Sequence, residues 1–287
     1  MNSDLIKTIR ERCPEFSKSH KLIAKYIIEH PDSAPYLTAT KLGVVCEVSE
    51  STVVRFAIEL GFKGYPEMQK ALKEQVRTNM TSVQRVAAAD NIISDGDVLS
   101  KIMNSDAEKI KITLDEVRRE DFDRAVKMIT EAKNVYIIGI RSASMIASFF
   151  AYHLNIVLNN VTLLDMTSTG EMFERLMWIS KGDVFIGISF PRYSKRTKSA
   201  IEFAKKRGAN ILALTDSISS PISEEADCTL IAKSDMASFV DSLVAPLSII
   251  NALIVAVSMN KKEQLSEHLN ELEKIWDEYE VYEKPAN

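Results

Sequence analysis

Apolar residues recur at helical spacing in the first part of the chain and give way to short unbroken runs later, and this change of period divides the sequence. From Ser17, the residues Leu22, Ile23, Tyr26 and Ile27 form one face of a helix, and Pro31 predicts that it stops near His30. A short helix over about Thr38 to Cys46 follows. Val48-Ser49 opens the next, with Ser49 placed to cap Glu50 to Leu60 and Gly61 placed to close it. Three or four helices are expected in the first 80 residues. Between Thr78 and Asp97 the chain turns polar and Ala-rich, which marks the clearest domain boundary. Two helical patterns, about 97–115 and 120–132, lead onward.

From Asn134 the texture changes to runs such as Val135-Tyr136-Ile137-Ile138, Val161-Thr162-Leu163-Leu164, Val184-Phe185-Ile186-Gly187-Ile188, Ile211-Leu212-Ala213-Leu214 and Thr229-Leu230-Ile231. Mostly β-branched and unalternated, they suit strands buried on both faces, and helices between most of them predict a doubly wound parallel sheet of about five strands. The expected class is therefore α/β. An all-α domain occupies 1–80, a linker and connecting helix 81–119, and the sheet domain 120–287. The apolar stretch Val240 to Met259 carries Asp241, Pro246 and Asn251, which suits a buried or subunit-interface helix and not a membrane span. The tail from Lys261 predicts a charged helix ending near Tyr279, either solvated or covering a neighbouring subunit.

Composition changes this picture little. With 46% apolar and 26% charged residues over 287 positions, the chain can bury a substantial core. Its start lacks the continuous apolar core of a signal peptide, and Cys13, Cys46 and Cys228 are odd in number, widely spaced and without nearby histidines. A reducing cytoplasm is expected, with neither disulfide framework nor metal site and no cofactor. The net charge of −4 hides an asymmetry, because residues 1–80 hold 12 Lys and Arg against 10 Asp and Glu. Any DNA contact is thus expected at the N-terminal end.

A helix-turn-helix needs a small residue in its first helix, a turn residue in the left-handed region and apolar residues that lock the helices together. Gly43 takes the small position, Leu42, Val48, Val53 and Phe56 the locking positions, and Glu47 the turn, where a non-Gly residue costs about 1–2 kcal/mol. In this register the second helix presents Glu50, Ser51, Thr52 and Arg55 on its exposed N-terminal face, with Ser49 at its cap and Lys63 and Tyr65 just beyond its end; Ser49, Ser51, Thr52, Arg55, Lys63 and Tyr65 are the expected groove and phosphate contacts. A small helical bundle with solvated Ser and Arg reads the same residues without DNA.

The run Phe16 to Leu72, especially VSESTVVRFAIELGFKGYPEMQKAL from Val48, resembles the N-terminal domain of the RpiR/MurR family of bacterial regulators. A Ser-x-x-Thr-Val-x-Arg-Phe segment and a Gly-Phe-x-Gly-Tyr/Phe segment carry the likeness, matched here by Ser49, Thr52, Val53, Arg55, Phe56, Gly61, Phe62, Gly64 and Tyr65. The family's order of helix-turn-helix then sugar isomerase (SIS) domain fits both halves of the chain. The resemblance implies a double-stranded DNA operator, a phosphorylated sugar or amino-sugar effector, a homodimer or homotetramer and no membrane.

Two loops of the sheet domain carry the candidate effector chemistry. Gly139-Ile140-Arg141-Ser142-Ala143-Ser144 runs from the first strand into a helix, so its N–H groups and hydroxyls form a ready anion site; a plain strand-to-helix connection reads equally well. The second, Ile188-Ser189-Phe190-Pro191-Arg192-Tyr193-Ser194, resembles the Ile-Ser-x-Ser-Gly-x-Thr phosphate loop of the SIS fold. Ser189 is kept, Ser194 replaces Thr, and Pro191 and Arg192 replace Ser-Gly, so a hydroxyl and a glycine give way to a guanidinium that can pair with phosphate. Arg141, Ser142, Ser144, Glu171, Ser189, Arg192 and Ser194 are the candidate ligand residues. Glu171 stands where SIS isomerases place a proton-transferring carboxylate, but it also fits the first turn of an ordinary helix. With no Glu/His pair in view, no catalytic residue and no turnover are expected. The alternatives are a sugar-phosphate isomerase with an appended helical domain and an oligomerisation scaffold with a dead ligand site.

Overall fold

The computed structural model describes residues 5–31, 33–79, 83, 97–165, 168–235 and 240–283. The chain separates into two compact units, Met1–Arg85 and Val86–Asn287.

In the first unit, five α-helices are found among the described residues, one more than the sequence pattern suggests: α1 Leu5–Arg12, α2 Lys18–Glu29, α3 Ala39–Val45, α4 Glu50–Glu59 and α5 Tyr65–Asn79. Hydroxyl caps begin three of them. Ser17 Oγ accepts from His20 N–H, Thr38 Oγ1 from Lys41 N–H and Ser49 Oγ from Thr52 N–H, each satisfying an otherwise orphaned amide. Ile9, Phe16, Ile23, Ile27, Leu42, Val53, Phe56, Met68 and Leu72 make one core, with Phe16 and Phe56 edge to face at 5.3 Å. Tyr65 joins that core at 3% exposure and donates its hydroxyl to the Leu37 carbonyl at 2.7 Å. Burial, and then the nearby Cys46, push its phenol up to about 12.

The second unit runs α6 Val98–Glu116, α7 Arg119–Glu131, β1 Val135–Gly139, α8 Ser142–Val157, β2 Val161–Leu163, α9 Thr169–Leu176, β3 Val184–Ile188, α10 Lys195–Lys206, β4 Asn210–Thr215, β5 Cys228–Ile231, α11 Val244–Asn260 and α12 Lys262–Glu278. All strand pairings are parallel, in the order β2-β1-β3-β4-β5. Alternation along β1 feeds two cores: Val135 and Ile137 pack with α7, α8 and α11, while Tyr136 and Ile138 pack with α9 and α10. Strands walled in on both faces must be apolar throughout, hence the unbroken runs.

The helix expected to connect the domains, α6, clusters with the second unit. Polar groups fasten it there. Lys109, 6% exposed, reaches Asp106 at 3.2 Å and Ser105 at 2.8 Å, and Ser242 donates to the same Asp106 carboxylate at 2.7 Å. Further along, Thr113 Oγ1 accepts from the Lys233 amide at 3.0 Å and Glu116 pairs with the Lys233 ammonium. Helix α11 buries Ile249, Ile250, Leu253 and Val257 but leaves Val255 and Met259 exposed, and no residue of α12 is buried. Among the described residues no single helix is long and apolar enough to cross a membrane.

Two outcomes follow from this packing. A Cβ on Gly139 would stand 2.3 Å from the Ala143 carbonyl oxygen and 2.9 Å from Ala147 Cβ, so Gly139→Ala lowers stability by about 1–3 kcal/mol, read as a fall in the melting temperature of the sheet unit. Because Tyr65 keeps its proton in the fold beyond the pH at which the unfolded chain releases it, its contribution is complete below about pH 10 and is lost as pH rises towards about 12. Alkaline denaturation of Tyr65→Phe should be flatter over that interval, and an unchanged profile would contradict the assignment.

Candidate functional site

Helices α3 and α4 meet across a four-residue turn, and the close approach is fixed at Gly43, where a Cβ would lie 2.8 Å from the Val48 carbonyl oxygen. Glu47 holds φ +56°, the left-handed conformation expected at this turn. Leu42, Val53 and Phe56 are buried and Val48 is half-buried, so the locking residues stand as the spacing predicts. The opposite face of α4 is polar. Ser49 and Ser51 hydroxyls lie 2.8 Å apart, Thr52 is half-buried, and exposed Arg55 returns its Nε to the Ser51 carbonyl at 3.3 Å. Glu50, beside them, accepts from the Thr40 hydroxyl at 2.7 Å and so ties the first turn of α4 to α3. Lys63 remains exposed with its side chain available to a phosphate, while its amide donates to Glu67 at 2.6 Å. Tyr65 departs from expectation: its hydroxyl is spent inside the core, so its side chain presents nothing to DNA. The local sequence Gly61-Phe62-Lys63-Gly64 suggests a surface turn before Tyr65 and does not show that Leu37, 28 residues earlier, supplies its acceptor.

In the sheet unit, β1 continues through α8 to β2 on one side and β3 through α10 to β4 on the other. The two helices cover opposite faces, so the strand order reverses between β1 and β3 and a crevice opens outside their carboxyl ends. Gly139 of β1 is paired with Ile188 of β3, so both candidate loops leave the sheet as neighbours and both end in a helix N-terminus that favours an anion. Ser142 is exposed at the first position of α8. Ser144, half-buried, donates its hydroxyl to the Arg141 carbonyl at 2.6 Å and so shapes the first turn. Arg141 itself sits at φ +60°, ψ −127°.

The second loop is more internal. Phe190 and Pro191 are buried, and Ser189, 4% exposed, accepts the Ser194 N–H on its Oγ at 3.2 Å. That hydroxyl, expected to serve the ligand and not the fold, therefore also closes the loop. Ser194 caps α10 by accepting from Thr197 N–H at 3.3 Å. Exposed Arg192 keeps φ +65° where the related loop pattern has glycine, so the glycine conformation persists without glycine at a cost of about 1–2 kcal/mol. Beside it, sequence reasoning missed Asp216, an 8% exposed carboxylate that follows β4 and accepts from the Tyr193 hydroxyl at 2.8 Å. Glu171, half-buried on the first turn of α9, approaches Arg175 at 3.9 Å, and no histidine hydrogen-bonds to it among the described residues. His153 instead packs edge-on against Phe149 and Tyr152 on α8.

Comparison with known proteins agrees with both halves. Residues 3–79 match the helix-turn-helix domain of the rpiR family and residues 128–256 match the SIS domain. An uncharacterized HTH-type transcriptional regulator of Caldanaerobacter subterraneus is 26% identical over 95% of this chain and 97% of its own. The sugar isomerase domain of an RpiR transcription factor from Sphaerobacter thermophilus superposes with a TM-score of 0.60 at 26% identity, covering 62% of this chain and 99% of that one. The Vibrio vulnificus NanR protein complexed with ManNAc-6P has the same fold over 96% of this chain and 98% of its own, with a TM-score of 0.57 and 21% identity. With a fitted helix-turn-helix ahead of a doubly wound sheet, and both domain models matched in that order, the chain belongs to the RpiR family of helix-turn-helix transcriptional regulators.

Proposed function

We propose that α4 reads a pseudo-palindromic DNA operator and that the crevice between β1 and β3 binds a phosphorylated sugar or amino-sugar that alters operator affinity. The observation that carries this reading is the switch point itself, where two Ser-bearing loops and two helix N-termini come together in a chain that also has a helix-turn-helix. The ManNAc-6P held by NanR, a protein of the same fold, supports the effector class. Ser49, Ser51, Thr52 and Arg55 face the groove and Lys63 a phosphate, while Ser142, Arg141, Arg192 and the amides of α8 and α10 receive the effector's phosphate. No turnover is part of this function: Glu171 contacts sugar hydroxyls, and the relatives are named as regulators. The protein works as a homodimer or homotetramer in the cytoplasm, and the exposed Val255 and Met259 of α11 suit a subunit contact. A thermal-shift screen of hexose and amino-sugar phosphates, repeated with operator DNA, tests the whole reading, since a ligand of the native state raises its stability.

Three substitutions test the parts. Arg55→Ala should weaken operator binding by about 1–3 kcal/mol with the fold intact, and equal affinity in a gel-shift titration would rule out the register. Ser142→Ala should reduce effector-induced stabilisation and spare DNA binding by the unliganded protein; combined with Ser189→Ala, it should abolish that stabilisation. Parallel loss of operator binding would make these hydroxyls structural. Arg192→Lys retains the charge and the strained backbone but loses the planar fork, so calorimetric titration should show a several-fold weaker effector; an unchanged dissociation constant would return phosphate binding to hydroxyls and backbone.

A further inference from the structure

The loop from Ser189 to Ser194 holds a left-handed backbone at Arg192, and such a conformation persists only where its surroundings over-determine it. Three sets of contacts do so. Phe190 and Pro191, within the loop, are buried. Within it, the Ser194 amide donates to Ser189 Oγ at 3.2 Å, and the Ser189 amide still reaches the Leu214 carbonyl at 3.2 Å, so the loop begins on the sheet. The far side is returned to the end of β4 by the Tyr193 hydroxyl, which donates to Asp216 Oδ1 at 2.8 Å. That oxygen also accepts from the Thr215 hydroxyl at 3.3 Å. Hydrogen bonds to a carboxylate are stronger than those between neutral groups, and this one spans from residue 193 to a neighbouring strand's end at 8% exposure, where water competes poorly.

We propose that Asp216 is a positioning residue for effector recognition: through Tyr193 it sets the shape of the 189–194 loop, and with it the aim of Arg192 and of the first amides of α10. This rests on the reading of the crevice as the effector site, but neither Asp216 nor Tyr193 has to touch the effector. Its role is to make an arginine loop behave as a glycine loop would. Glycine would hold this turn without strain, whereas Arg192 requires a tie from outside.

Hydrogen exchange of the full chain separates the tie from the binding. In Tyr193→Phe and Asp216→Ala the amides of Ser194 and Thr197 should exchange about tenfold faster or more, with the helix-turn-helix unit unaffected. Asp216→Asn should behave like the parent, because its carboxamide oxygen accepts the same phenol proton. Titration of the same variants with inorganic phosphate and a panel of hexose and amino-sugar phosphates should show about fivefold or greater weakening for the first two and little for Asp216→Asn. The double variant Tyr193→Phe with Asp216→Ala should be no worse than either alone, as two ends of one interaction are not additive. Unchanged exchange in Tyr193→Phe overturns the proposal, and so do additive losses, which would mean that each residue contacts the ligand separately. Equal weakening in Asp216→Asn and Asp216→Ala also overturns it, because the charge and not the bond would then matter. Tyr193→Phe removes one oxygen and leaves the ring, so it decides the case if Asp216→Ala fails to fold. If the parent takes up neither phosphate nor any sugar phosphate, the effector reading falls, while the exchange response alone upholds or overturns the tie.

Discussion

A parallel sheet covered on both faces forces every crossover to start from the same edge, and the sheet unit is organised by that requirement. After β1, β2 and β3 the chain passes from the carboxyl edge into α8, α9 and α10 before it returns, whereas turns alone join β4 to β5. Helix N-termini, with their unpaired amides and positive dipole ends, are thereby gathered on one side of the molecule. The crossovers diverge between β1 and β3, where α8 and α10 leave for opposite faces. The strand order alone thus sets two helix N-termini side by side, a placement that favours an anion whatever residues the two loops carry.

Those residues show how a site can keep its backbone while changing its side chains. Arg141 and Arg192 both stand at positive φ, and both lie in the loops that leave β1 and β3. The cost of each is of the same order as a hydrogen bond, so the conformation persists because surrounding contacts hold it. Ser144 supports the first loop from within, and Ser189 with the Tyr193–Asp216 pair supports the second. The same logic governs Glu47 in the helix-turn-helix, where Gly43 and the buried Leu42, Val53 and Phe56 fix the helix crossing and the turn residue must comply.

Helix α6 is fastened to the sheet unit by two polar clusters. Its buried Lys109 and half-buried Asp106 form one cluster with Ser242, and its buried Thr113 and exposed Glu116 another with Lys233. Both tie the helix to chain that follows β5, on the edge of the sheet where the candidate loops also emerge. A buried ammonium such as that of Lys109 is a weak source of net stability but a strong constraint on geometry, because an alternative packing would leave its charge unpaired.

The sequence by itself determined the five strands, the cap at Ser49 and the register of the helix-turn-helix, because all of these depend on local period and on side chains acting within a few residues of themselves. Family likeness added the order of domains and the two loops. What only the tertiary structure decided involves partners distant along the chain. Tyr65 became a core residue because Leu37 supplies an acceptor above it, and Ser189 became a loop closure because Ser194 folds back on it. Asp216, one residue past a strand and without any motif to mark it, came to hold Tyr193 because β4 lies beside β3. Helix α6 joined the sheet unit for the same reason, since its anchors at 233 and 242 are more than a hundred residues away and no periodicity announces them.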